Sequence, residues 1–148
     1  MDAVRRQHQR DAYATFLEAA YSFQTRTEPA LIIERVLREI TDHASVDAPE
    51  RVERRSRELR FEGSSLEDLN RAFPLVVLEG PDHVADLAVA VIVAAGEVRL
   101  NALDDDLSQG SDAAAGERTV GTQSDLLMAI DAFATGASAH LNGTRTGR

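Results

Sequence analysis

The chain has 148 residues, 43% of them hydrophobic and 28% charged, with no cysteine and a net charge of -9. A chain of this size and balance buries its own core as one domain, 1–148, without a disulfide or metal staple. The missing cysteine excludes thiol catalysis and cysteine-ligated metal or iron–sulfur centres, and the acidic balance disfavours nucleic acid and anionic membrane as partners.

The acid is unevenly placed. Residues 1–63 carry 11 Arg against 12 Asp and Glu, whereas residues 64–148 carry 5 Arg against 13, so the second part is the anionic one. Every basic residue is arginine and none is lysine. With the alanine and valine content, that is the coding bias of a high-GC bacterial genome. No apolar run follows Met1-Asp2-Ala3-Val4-Arg5-Arg6, and the longest one, Leu87 to Gly96, is about half of what a membrane-spanning helix needs. The expectation is a cytoplasmic protein with no membrane span.

The first element, Val4 to Gln24, reads as an amphipathic helix. Ala12, Tyr13, Phe16, Leu17, Ala20 and Phe23 recur at three- and four-residue steps and share one face. Arginines in its first turns oppose the helix dipole, so residues 1–4 are expected to fray. Thr27 is placed to cap a second helix that has Pro29 in its first turn. Ile33, Val36, Leu37, Ile40 and Ala44 stripe that helix as far as about Ser45. Glu34–Arg38 and Arg35–Glu39 pair on its exposed side.

Asp47 and Glu50 form a capping box ahead of the third helix. Val52, Leu59, Leu66 and Phe73 recur every seven residues along it, with Leu69 beside them, a spacing that holds one seam toward a partner helix. Gly63-Ser64-Ser65 predicts a kink or restart, the heptad phase kept across the glycine favouring the kink, and Ser64 and Glu67 offer a second capping box. Phe73-Pro74 stops the helix, and Leu75 to Glu79 is a short extended connector.

Gly80-Pro81-Asp82 opens the fourth helix. Val84, Leu87, Ala88, Val91, Ala94, Ala95 and Val98 face inward, while Val89, Ile92 and Val93 make it apolar nearly all round, the mark of a central helix. The β-branched content of 88–93 leaves a strand open there. Leu103 to Glu117, with Asp104, Asp105 and Asp106 followed by Ser, Gly and Ala, reads as a mobile acidic loop. The last helix, Thr119 to Leu141, buries Leu126, Leu127, Ile130, Phe133, Ala137 and Leu141. Asn142-Gly143 ends it, leaving 143–148 frayed. Stripes of this kind bury on one another. The expected fold is therefore all-α, an antiparallel four- to five-helix bundle.

No motif for catalysis stands out. His8, His43, His83 and His140 lie on different segments, and no Glu precedes a His by three residues, as a bundle di-metal site requires. They read as solvated or capping histidines. Asp104 to Asp106 lacks the alternating spacing of a calcium loop. Arg51, Arg54, Arg55, Arg57 and Arg60 would form a basic stripe, but Glu50, Glu53, Glu58 and Glu62 are interleaved with them. No phosphate loop and no Gly-x-Ser-x-Gly elbow is present. The expectation is no enzyme, no catalytic residue, no cofactor and no metal.

Two stretches carry a resemblance: Asp11-Ala12-Tyr13-Ala14-Thr15-Phe16-Leu17-Glu18-Ala19, and Val77-Leu78-Glu79-Gly80-Pro81-Asp82-His83-Val84. The chain is similar in them to a loose set of small uncharacterised helical proteins of actinobacteria, whose pattern is an Ala-Tyr-x-x-Phe-Leu opening and a Val-x-Leu-x-Gly-Pro turn before a later helix. The resemblance implies a helical fold and supplies no site.

Three functions follow. A protein-interaction or self-association module comes first, with Val52, Leu59, Leu66, Leu69 and Phe73 as the interface, because the apolar faces exceed what one small bundle hides. A bundle that holds a small apolar molecule between its helices is the second. A nucleic-acid-binding regulator acting through Arg51 to Arg60 is the third.

Overall fold

A computed structural model describes residues 2–40, 48–107 and 113–146. Among them the chain is all-α, with six helices and no strand: α1 (Asp2–Thr27), α2 (Pro29–Ile40), α3 (Ala48–Gly63), α4 (Glu67–Glu79), α5 (Asp82–Leu107) and α6 (Ala113–Thr146). The 88–93 segment is helical, within α5. No helix among the described residues is long and apolar enough to cross a membrane.

Helices α1, α4, α5 and α6 form a four-helix bundle around the main core. From α1 come Tyr13, Phe16 and Phe23, from α4 Leu69 and Val76, from α5 Val84, Val91 and Val98, and from α6 Leu126, Ile130 and Phe133. All of these are buried almost completely. The directions alternate. The early Tyr13 meets the late His140, and Gln123 meets Gln24 and Thr27, so α6 runs antiparallel to α1. Asn101 accepts from Thr119, and the His83 ring meets that of His140 edge-on, so α5 is antiparallel to α6 as well. Helices α2 and α3 form an antiparallel hairpin on one end of the bundle, with a second, small core of Ile32, Val36 and Leu59.

Several sequence expectations are corrected. Pro74 does not stop the helix, because α4 continues through it to Glu79. Leu69, Ala72 and Val76 bury at helical spacing on both sides of the proline, and that burial outweighs the one backbone bond proline removes. Leu75 to Glu79 is therefore helical rather than an extended connector. The chain restarts after Gly63 instead of kinking, through Ser64-Ser65-Leu66. The Ser64–Glu67 capping box does not form. Ser64 Oγ donates back to the Phe61 carbonyl, and Ser65 Oγ accepts from the Glu67 amide. A Cβ at Gly63 would lie 2.7 Å from the Arg26 carbonyl oxygen. Glycine here lets the end of α3 pass close to α1.

Thr27 closes α1 rather than capping α2. Its hydroxyl, 2.9 Å from the Phe23 carbonyl oxygen, donates within the helix. Asp2 to Val4 and 143–146 are helical, not frayed. The acidic loop of 103–117 is also corrected. Residues 103–107 belong to α5 and 113–117 to α6, leaving 108–112 outside the described residues. The capping box at Asp47 and the end of α2 near Ser45 lie outside them too. The predicted Glu34–Arg38 and Arg35–Glu39 pairs are present at 3.2 and 3.7 Å.

Candidate functional site

The α2–α3 hairpin does not close fully against the bundle. A cleft of about 280 Å³ lies between α2, α3, α5 and α6, open to solvent on one side. Its walls are apolar: Pro29, Ile32 and Ile33 from α2, Pro49 and Val52 from α3, and Ala102 from α5. The two prolines stand in the first turns of their helices, where no N–H is lost to the structure.

The polar side of the cleft is built around Arg60. This guanidinium is buried, with 5% of the residue exposed. Nε donates to the Thr27 carbonyl at 3.1 Å, Nη1 to Asn101 Oδ1 at 2.7 Å, and Nη2 to Gln123 Oε1 at 3.4 Å. Asp105 Oδ2 lies 3.7 Å from Nη1 and supplies the countercharge. The Thr119 hydroxyl sits 3.1 Å from both Asn101 Oδ1 and Asp105 Oδ2. Its single proton serves one of them at a time. Gln123 Nε2 donates onward to Thr27 Oγ1 at 3.0 Å and to the Gln24 carbonyl at 3.2 Å. One arginine thus ties α3 to the end of α1, to α5 and to α6.

Burial pushes the Arg60 pKa down, while the charges of Asp105 and Glu28 push it back up. An arginine starts so high that it stays charged at neutral pH. One turn before it on α3, Ser56 lines the same cleft. Among the described residues, Ser56 Oγ is the one buried side-chain polar atom with no hydrogen-bond partner.

A second polar cluster lies at the far end of the bundle. Tyr13 Oη and His140 Nδ1 are 3.1 Å apart, and the His83 ring sits 5.8 Å from that of His140. Burial lowers the His140 pKa first, followed by the charges of His83 and Arg5. Burial raises that of Tyr13. The hollow beside His140, about 360 Å³, is lined by Asp2, Arg5, Arg6 and Gln9, a charged and solvated surface. Among the described residues, no group of three or more His, Asp or Glu is arranged to hold a metal ion.

The five residues expected to form an interface are occupied within the chain. Leu59 is buried in the small core, and Val52 packs against it. Leu69 is buried in the main core, where Leu66 and Phe73 pack. The seven-residue seam is divided between the two cores, Val52 and Leu59 in the hairpin and Leu66, Leu69 and Phe73 in the bundle. The arginine stripe also divides: Arg55 pairs with Glu58 and Glu39 at 3.4 and 3.9 Å, and Arg60 points inward. Asp105, read as loop acid, is a helical residue bound to Arg60. His140 is half-buried rather than solvated.

Arg60 was the inward-facing arginine hidden by the stripe. Its neighbours three and four positions away are Arg57, Ser56, Gly63 and Ser64, with no carboxylate among them. Small residues on an arginine's own helical face are the signal that it packs inward. Neither a family model, nor a curated protein, nor a solved structure matches this chain.

Proposed function

We propose that the chain is a non-catalytic helical bundle that binds a small, mainly apolar molecule in the cleft between α2, α3, α5 and α6. The observation that carries this reading is the cleft itself: apolar walls with a few convergent polar groups at one side, the usual build of a small-molecule site. The groups around Arg60 bond one another and the backbone, which supports a supporting rather than a reacting role for them. The test is a titration with naphthalene followed by amide chemical shifts. Saturable shifts confined to Ile33, Val52, Ser56, Ala102 and Thr119 are expected, and Val52→Trp, which fills the cleft, should abolish them. Wild-type shifts that are absent or scattered over the bundle would dismiss the reading.

A second reading, contact with a second copy of the chain, is supported by α5. Val89, Val93 and Leu100 are exposed, and with Gly96 they follow steps of four, three and four residues. That is the spacing of a seam that packs on another helix. A Cβ at Gly96 would meet nothing within 4 Å, so the backbone is open to close approach. Light scattering at rising concentration tests it: a dimer lost in Val93→Arg supports the reading, and a strict monomer removes it.

A further inference from the structure

We infer that the molecule held in this cleft is uncharged, has about eleven non-hydrogen atoms, and carries a hydrogen-bond acceptor that takes the proton of Ser56 Oγ. The inference rests on the cleft being a binding site, as proposed above, and three separate observations define the ligand.

Size comes from volume. An engineered cavity of about 150 Å³ holds benzene. The cleft, at about 280 Å³, is nearly twice as large and suits a two-ring or medium-chain compound.

Charge comes from the lining. The ionisable groups that line the cleft are Glu53, Arg57, Arg60 and Asp105, two of each sign. The most buried of them, Arg60, is already matched by Asp105 and held by a carbonyl and two amide oxygens. An anion would have to displace Asp105 from Arg60, and a cation would be set against Arg60 itself. Either would leave water for a site with no net charge to receive it, which is costly.

The polar group comes from Ser56. A serine inside a helix ordinarily bonds back to the carbonyl four residues earlier. Ser56 Oγ has no such bond and no other, although it stands between Val52 and Arg60 on the cleft wall. Oγ is enclosed in its present rotamer, and rotation about the Cα–Cβ bond would turn it toward the cleft that Ser56 lines. Asp105, an acceptor in the same lining, is already engaged by Arg60 and Thr119. The Ser56 proton is taken by an oxygen on the ligand and not by a further donor. A ketone, ester or lactone on an apolar body meets all three conditions.

The test compares naphthalene, 1-tetralone and 1-naphthoate by amide-shift titration of the full chain and of Ser56→Ala, a substitution that suits a helix. The ketone should bind the wild type about 5–10-fold more tightly than the hydrocarbon, as one net hydrogen bond allows. That advantage should vanish in Ser56→Ala, in which ketone and hydrocarbon should bind alike, and naphthoate should bind least. A ketone advantage that survives Ser56→Ala, or naphthoate as the tightest ligand, overturns the inference while leaving the cleft a binding site. Absence of saturable shifts with all three compounds removes the site and the inference together.

Discussion

Arg60 Nη1 lies 2.7 Å from Asn101 Oδ1, and this short bond between α3 and α5 is the centre of the polar floor beneath the cleft. It places a charged side chain from a helix rich in exposed arginines inside the molecule, where its bonds to Thr27 and Gln123 complete the set.

Removing Arg60 is therefore expected to be far more damaging than removing its neighbours. Arg60→Ala strands the Thr27 carbonyl, two amide oxygens and the Asp105 carboxylate. It should lower the free energy of unfolding by about 3–5 kcal/mol, the range for breaking one side of a buried pair. Arg54→Ala, on the exposed side of the same helix, should change it by less than about 0.5 kcal/mol. Urea denaturation followed by helical circular dichroism measures both.

Two glycine substitutions should move stability in opposite directions. At Gly63 a Cβ would meet the Arg26 carbonyl oxygen at 2.7 Å, a backbone atom that cannot swing aside. Gly63→Ala should destabilise by about 1–3 kcal/mol. Gly96 is inside α5 with open space around it, so Gly96→Ala should stabilise by about 0.5–1 kcal/mol through helix propensity. Thermal melts of the two variants beside the wild type decide the point.

Phe133 should be the costliest single truncation in the main core. It is fully buried, with its ring 4.8 Å from that of Phe16 and 6.0 Å from that of Tyr13. Phe133→Ala should cost about 3–5 kcal/mol. Leu78→Ala, on a residue 77% exposed, should be close to neutral. Chemical denaturation of both variants tests the contrast.

Stability should fall with acid through His140. Its folded pKa is lowered, by burial first and then by His83 and Arg5, so the unfolded chain takes up the proton at higher pH than the folded one does. Between the ordinary histidine value, about 6.5, and the lowered folded value, the unfolded state binds more protons, and stability rises with pH. The contribution is fully present above about pH 6.5 and is lost as pH falls through that window. His140→Gln should flatten this part of the stability–pH curve, measured from pH 7.5 down to about pH 5. An unchanged slope would place the titration on another group.

The bundle was legible in the sequence because α1 and α6 each carry a long stripe at helical period, such as Tyr13-Phe16-Ala20-Phe23. What misled were local breakers set inside buried patterns. Pro74 reads as a stop until Leu69, Ala72 and Val76 are seen to continue one face across it. Asp104 to Asp106 reads as solvated loop, although Asp105 lies at helical reach of the packing face and finds Arg60. Ala113 to Ala115 are strong helix formers, obscured by the serine and glycine before them. The cleft itself was not legible. Its walls come from four helices, and it exists because α2 and α3 stand slightly away from the bundle, a distance that no spacing along the chain encodes.

The hairpin of α2 and α3 is fastened by a small core of three buried aliphatic side chains, by the arginine pin beneath it, and at the end of α3 by Arg26 on the Gly63 carbonyl and Arg99 over the Phe61 ring. Amide hydrogens along these two helices should therefore exchange with solvent through a partial opening, well below the free energy that protects the amides around Val91 and Ile130. A molecule enclosed beneath the hairpin would add its own binding energy to that latch. Protection of α2 and α3, more than the melting temperature of the whole chain, would then record how often the compartment is filled.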